Sequence, residues 1–409
     1  MHLHSLFNLF PISSSIAVAA YLSLAVVLLV PRLRNRLGQM LAPVSPSNQV
    51  HLFSLDALRG LAALWVVSYH SWQWWTFIPN QKPTSISPVE LAGEDAVAVF
   101  VGLSGFLIFR ALQSVNSLDG LRRYFQNRFL RIYPLYAISV IALVVFRQYS
   151  GVLTKGQHLI AEFFMVRSIG YPVFLNPPSW SLYVEVLFYL VAPCFVLMVQ
   201  RRVILVAGIM TLVFFLIDNN SPREFALFKF FGIGILASEV QRRLTGRCPE
   251  WGAVLIFLFG SMFFWLAVTC ECPLDRLVRP FMVPWFCPQQ GLLNSGDTIE
   301  FCLAVGFLLV GSTLSRTVTT FFKLAPWRIL GAISYSIYIW HSFVIISDAP
   351  LLFRYLGGVV PIPNSPPHPS PDEWIRWFVI IPAILFLSTL SFLLVERPFL
   401  QMRRRVATV

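Results

Sequence analysis

The chain has 409 residues, of which 56% are hydrophobic and only 12% charged, and its mean hydropathy is +0.69. A soluble domain carries about 25% charged residues, so this chain lacks the polar surface of one and is read as a membrane protein. Its net charge of +12 invites a nucleic-acid reading, which the distribution of the basic residues argues against.

A hydrocarbon core about 30 Å thick takes about 20 helical residues to cross. Eleven apolar segments are candidate spans: 12–30, 52–74, 96–112, 130–147, 180–199, 203–217, 225–240, 251–270, 298–315, 328–348 and 375–395. The predicted class is all-α, a polytopic integral membrane protein. The first segment has no Lys or Arg ahead of it and a basic cluster behind it, the mark of a retained signal-anchor helix rather than a cleaved signal peptide. Residues 1–31 are therefore assigned to one transmembrane helix, 32–51 to a cytoplasmic linker and 403–409 to a basic tail.

If Arg32, Arg34 and Arg36 are cytoplasmic, alternation of the spans puts 20 Lys and Arg residues on the cytoplasmic side, nine on the opposite side, and Arg59 and Lys229 within spans. The positive-inside rule accounts for that bias. The N-terminus is predicted outside and the C-terminus cytoplasmic, with the bilayer as the partner and no nucleic acid. Either a bacterial inner membrane or a eukaryotic membrane fits. Cys270, Cys272 and Cys287 bracket an external loop where one disulfide is open beside the unpaired reading. No spacing fits a metal centre, and the Pro-rich run within 361–373 reads as a spacer.

Ionisable side chains inside spans are costly and face protein or water. The second span opens SLDALRGLAALWVVSYH. From Arg59 to His70 is about 1100° of helical rotation, close to whole turns, and about 16 Å of rise. The two share a stripe, with Asp56 near it, where it can simply pair with Arg59. The span at 180–199 places Ser181, Glu185 and Tyr189 at i, i+4 and i+8 on one face, and ISYSIYIWH puts His341 on a stripe with Ser334 and Tyr338. Carboxylate and imidazole at similar depth are the minimum for general-base catalysis on a hydroxyl; the same kit serves a proton-coupled secondary transporter. No internal repeat favours the transporter. In RRYFQNRFLR, Arg128 and Arg131 lie three apart at a span mouth, where a guanidinium fork suits phosphate. Gly102, Ser104 and Gly105 in VFVGLSGFLIF either permit close helix approach or leave a gap for a thin pantetheine chain.

These motifs resemble, in order, those of the acyltransferase-3 family of multi-spanning membrane acyltransferases: SLDALRGLAALWVVSYH, VFVGLSGFLI, RFLRIYPLY, WSLYVEVLFYLVAP, ISYSIYIWH and the closing VERPF. The likeness covers residues 52–402. It implies a core of about ten helices, to which the first span is one extra. It also implies transfer of an acyl group, acetyl by default, from acyl-CoA as co-substrate, with no bound cofactor or metal. The acceptor would be a hydroxyl of a sugar, polysaccharide, lipid-linked glycan or small metabolite. Carried over by motif, His70 is the catalytic histidine with Arg59 as its partner, and Glu185 is a site carboxylate. Arg128 and Arg131 would attend the donor. By their helix positions rather than by the resemblance, Ser104 and Gly105 are further donor-site candidates, and Asp56, Ser181, Tyr189, Tyr338 and His341 are candidates to line the site. Ala98 departs from the family's frequent acidic residue six positions before the motif serine.

Overall fold

Helices follow the long apolar runs, and those through 130–147 and 180–199 stay helical across Pro134 and Pro193. The computed structural model describes residues 12–41, 52–76, 92–113, 115–149, 156–165, 176–199, 202–217, 227–269, 298–355 and 376–407, and no strand occurs among them. In chain order the helices are α1 (Ile12–Leu29), α2 (Pro31–Met40), α3 (Phe53–Thr76), α4 (Ala96–Gln113), α5 (Leu118–Tyr149), α6 (Gly156–Phe163), α7 (Ser179–Val199) and α8 (Val203–Ile217). Then come α9 (Phe228–Leu244), α10 (Glu250–Val268), α11 (Ile299–Leu314), α12 (Arg316–Phe322), α13 (Ala325–Tyr355), α14 (Ile381–Ser391) and α15 (Arg397–Ala407). Single π-helical turns, Arg376–Ile380 and Phe392–Glu396, flank α14.

Within the described residues each of the eleven apolar segments coincides with a helix, the last with α14 and its flanking π turns. Among the described residues, four stretches can cross a bilayer by length and composition: Ala96–Gln113, Leu118–Val145, Glu250–Val268 and Arg376–Met402. Two bent pairs raise that number to six, α1 with α2 (103°) and α11 with α12 (91°). The fourth expected span starts earlier than its apolar run does. Helix α5 begins at Leu118 instead of 130 because the basic stretch ahead of the run is built of helix-forming residues. Arg128 and Arg131 therefore stand within a continuous helix rather than at its mouth. The calls on Cys270, Cys272, Cys287 and the 361–373 run lie outside the described residues.

Burial separates the central helices from the peripheral ones. Two thirds of α4 is buried (67%), against 22% of α10, whose Leu255, Leu258, Phe259, Met262 and Trp265 are exposed as a lipid-facing helix requires. The tightest central seam is α4 against α9. A Cβ added at Gly105 would collide with the Phe231 carbonyl, and one at Gly234 with the Gly102 carbonyl. The small residues of α4 thus serve close helix approach. On the other side α3 packs along α13, where Gly331 sits against the Asp56 backbone. Helices α3, α4, α5, α7 and α13 then surround one cavity.

Candidate active site

The cavity is lined by polar groups that five helices turn inward. Helix α3 supplies Arg59, whose Nη1 donates to Asp56 Oδ1 at 3.1 Å across one helical turn. The guanidinium is 12% exposed, so the pair counts for more here than on a surface. From α5 come Arg128 and Arg131, and from α7 Ser181, Glu185 and Tyr189, all lining the same space. Their i, i+4, i+8 spacing on α7 makes one inward stripe.

Glu185 is the hub. Ser104 Oγ of α4 donates to its Oε1 at 2.9 Å, and the Tyr189 hydroxyl donates to the same oxygen. The Arg128 guanidinium stands 5.4 Å from the Tyr124 ring and 5.2 Å from the Tyr189 ring, a cation held between two aromatic faces. The lining thus carries three guanidiniums against Glu185, with Asp56 paired to one of them. That excess of positive charge suits an anionic ligand such as a phosphate.

A second polar group adjoins this one through Tyr338. Ser181 Oγ and the Tyr338 hydroxyl are hydrogen-bonded at 2.6 Å, tying α7 to α13. One turn on, His341 is fully buried. Its Nδ1 bonds the Tyr338 carbonyl at 2.7 Å, so Nδ1 carries the proton, and the Ser342 hydroxyl donates to Nε2 at 3.2 Å. The His341 ring stacks on His70 at 5.2 Å between centroids, inclined 21°. Tyr69 meets His70 edge-on at 5.1 Å. His70 is not among the residues lining the cavity; it neighbours Tyr338, which is, through His341.

Arg59, Arg128, Arg131, Ser104, Ser181, Glu185, Tyr189 and Tyr338 thus share one cavity, with Asp56 bound to Arg59 and the two histidines beside it. Gly105 does not face the cavity but Phe231 of α9, because neighbours on a helix point about 100° apart. The sequence reading did not single out Tyr335, which lines the cavity, or Tyr124. Both carried a signal. Tyr335 lies three residues before Tyr338, and Tyr124 four before Arg128, the spacings of one helix face.

The comparisons with known proteins point the same way. Residues 52–395 match the acyltransferase-3 family profile, described as "Acyltransferase domain". The chain is 32% identical over 165 residues to acyltransferase MdmB of Streptomyces mycarofaciens, covering 38% of this chain and 42% of that one. It is 23% identical over 387 residues to peptidoglycan O-acetyltransferase OatA of Listeria monocytogenes, covering 84% and 55% respectively. The matches span about half the length of these two relatives. No solved structure matches the chain.

Proposed function

The chain belongs to the acyltransferase-3 family, and from that premise we propose that it is a membrane O-acyltransferase moving an acyl group, acetyl by default, from acyl-CoA to a hydroxyl. The observation that carries this reading is the convergence of Arg59, Arg128 and Arg131 in one cavity beside a carboxylate hub and a histidine pair. Arginines recognise phosphate by bidentate donation, and CoA is the acyl carrier that presents phosphates. The donor comes from the cytoplasmic face, where positive-inside bias puts the N-terminal ends of α3 and α5. The topology is a core of about ten spans with α1 in addition, the N-terminus outside and the C-terminus cytoplasmic. An acceptor class follows from the peptidoglycan-directed name of one relative: a glycan hydroxyl approaching from the outer side.

Chemically, the hydroxyl oxygen attacks the thioester carbonyl while the neutral imidazole of His70 takes its proton. The tetrahedral oxyanion collapses, the C–S bond breaks, and the CoA thiolate leaves and is protonated, giving ester and free CoA. Guanidinium and hydroxyl donors on the cavity wall are the available stabilisers of that oxyanion. Glu185, gripped by Ser104 and Tyr189, orients the groups around the reacting centre.

Two substitutions test the division of labour. Arg131→Ala weakens donor binding about 10- to 100-fold, the size of one lost charge-assisted contact; equilibrium binding of CoA measures it, and an unchanged affinity removes the phosphate dock. Glu185→Gln lowers turnover by about tenfold while donor affinity stays within about twofold. Steady-state rates at varied acetyl-CoA separate the two, and an unchanged turnover takes Glu185 out of the mechanism.

A further inference from the structure

Tyr124 has no role in the mechanism above and is not among the residues lining the cavity, yet it bears directly on one of the three guanidiniums there. It is 5% exposed and stands one helical turn before Arg128 on α5, the i, i+4 spacing at which side chains meet. The Arg128 guanidinium carbon lies over its ring, 5.4 Å from the centroid, and over the Tyr189 ring of α7 at 5.2 Å. Both rings are fixed by their neighbours. The Tyr124 hydroxyl donates to the Tyr189 backbone carbonyl at 3.3 Å, which ties α5 to α7 at this point, and the Tyr189 hydroxyl donates to Glu185. Arg59 spends a donor on Asp56, whereas among the described residues no carboxylate forms an ion pair with Arg128. A carboxylate holds a guanidinium by occupying N–H groups that a phosphate would use. An aromatic face holds the cation through its π-electrons and leaves those N–H groups to a ligand.

We propose that Tyr124 is the positioning residue for Arg128: with Tyr189 it forms an aromatic clamp that presents the edge of the guanidinium to the phosphates of CoA. This rests on the reading of Arg128 as a ligand of the acyl donor. An arginine side chain loses much rotamer freedom when it is immobilised, and a clamp that imposes the loss before CoA arrives removes it from the cost of binding. The bond from the Tyr124 hydroxyl to the Tyr189 carbonyl holds the two rings together, so the clamp is in place without the ligand.

The test is a double-mutant cycle on the purified full-length protein, read as equilibrium binding of CoA. Tyr124→Leu removes one face of the clamp and should weaken CoA about fivefold, the size of one cation–π contact away from water. In an Arg128→Gln background, which has no cation to hold, the same substitution should change CoA affinity by less than about 1.5-fold. Equal losses in the two backgrounds would mean that Tyr124 serves the packing of α5 rather than the guanidinium. That outcome, or no loss in either background, overturns the proposal. Tyr124→Phe keeps the ring and loses only the bond to α7. It should weaken CoA about threefold with Arg128 present and not in the Arg128→Gln background, and it keeps the question answerable if Tyr124→Leu fails to accumulate. Arg128→Gln alone separates the clamp from the reading beneath it. If Arg128→Gln weakens CoA and the Tyr124 substitutions do not, only the positioning role falls. If Arg128→Gln leaves CoA untouched, the reading of Arg128 as a phosphate ligand falls with it.

Discussion

His70→Ala is expected to lower acceptor-dependent acyl transfer by about 100- to 10,000-fold, the usual contribution of a positioned general base. The neighbouring imidazole does not take over. His341 is fully buried, its Nδ1 proton is committed to the Tyr338 carbonyl, and its Nε2 receives the Ser342 hydroxyl. Both nitrogens are occupied, so it offers a rigid stacking partner rather than a second base. Because His70 stands outside the wall formed by Arg59, Arg128 and Arg131, CoA affinity should change by less than about twofold. Thiol release and CoA binding on the same preparation measure the pair. A rate within threefold of wild type would remove His70 from the chemistry.

Gly234→Val is the substitution with the largest expected effect on assembly. Its Cβ would lie on the Gly102 carbonyl and against the Phe106 amide, both backbone atoms of α4, which cannot swing aside as a side chain can. Helices α4 and α9 would have to separate, at a cost of at least about 1–3 kcal/mol of overpacking strain. A loss of that size reduces the folded population severalfold. Since α4 carries Ser104 to Glu185, the protein that survives should also turn over more slowly. Gly208→Ala is the control, because nothing lies within 4 Å of its added Cβ, and helix propensity makes it neutral or stabilising. Detergent-solubilised yield and thermal unfolding of the two variants read the difference. Equal yields would mean that the α4–α9 seam is looser than its backbone contacts indicate.

Much of this site was legible because it obeys helical spacing. Asp56 with Arg59 at i+3, and Ser181, Glu185 and Tyr189 at four-residue steps, announce their faces without any tertiary information. The stacking of His70 on His341 was not legible, since it depends on α3 lying along α13, some 270 residues later in the chain. The aromatic hold on Arg128 divides in the same way: Tyr124 is local, Tyr189 comes from another helix. The start of α5 was missed for a different reason. A hydropathy window marks where a helix becomes apolar, not where its hydrogen bonds begin. The π turn Phe392–Glu396 left no mark in the pattern, because an added residue in one turn shifts side chains without changing composition.

The most direct test of the central claim follows both halves of the donor. Purified protein in liposomes is given acetyl-CoA labelled separately in the acetyl group and in the CoA moiety, with a glycan acceptor present or withheld. Acyl transfer predicts that the two labels part company only when acceptor is present, the acetyl label becoming an ester on the glycan while equimolar CoA thiol is released. Labels that stay together under every acceptor tried, alongside proton-coupled flux of solute across the same liposomes, would contradict the account and assign the buried charges to transport.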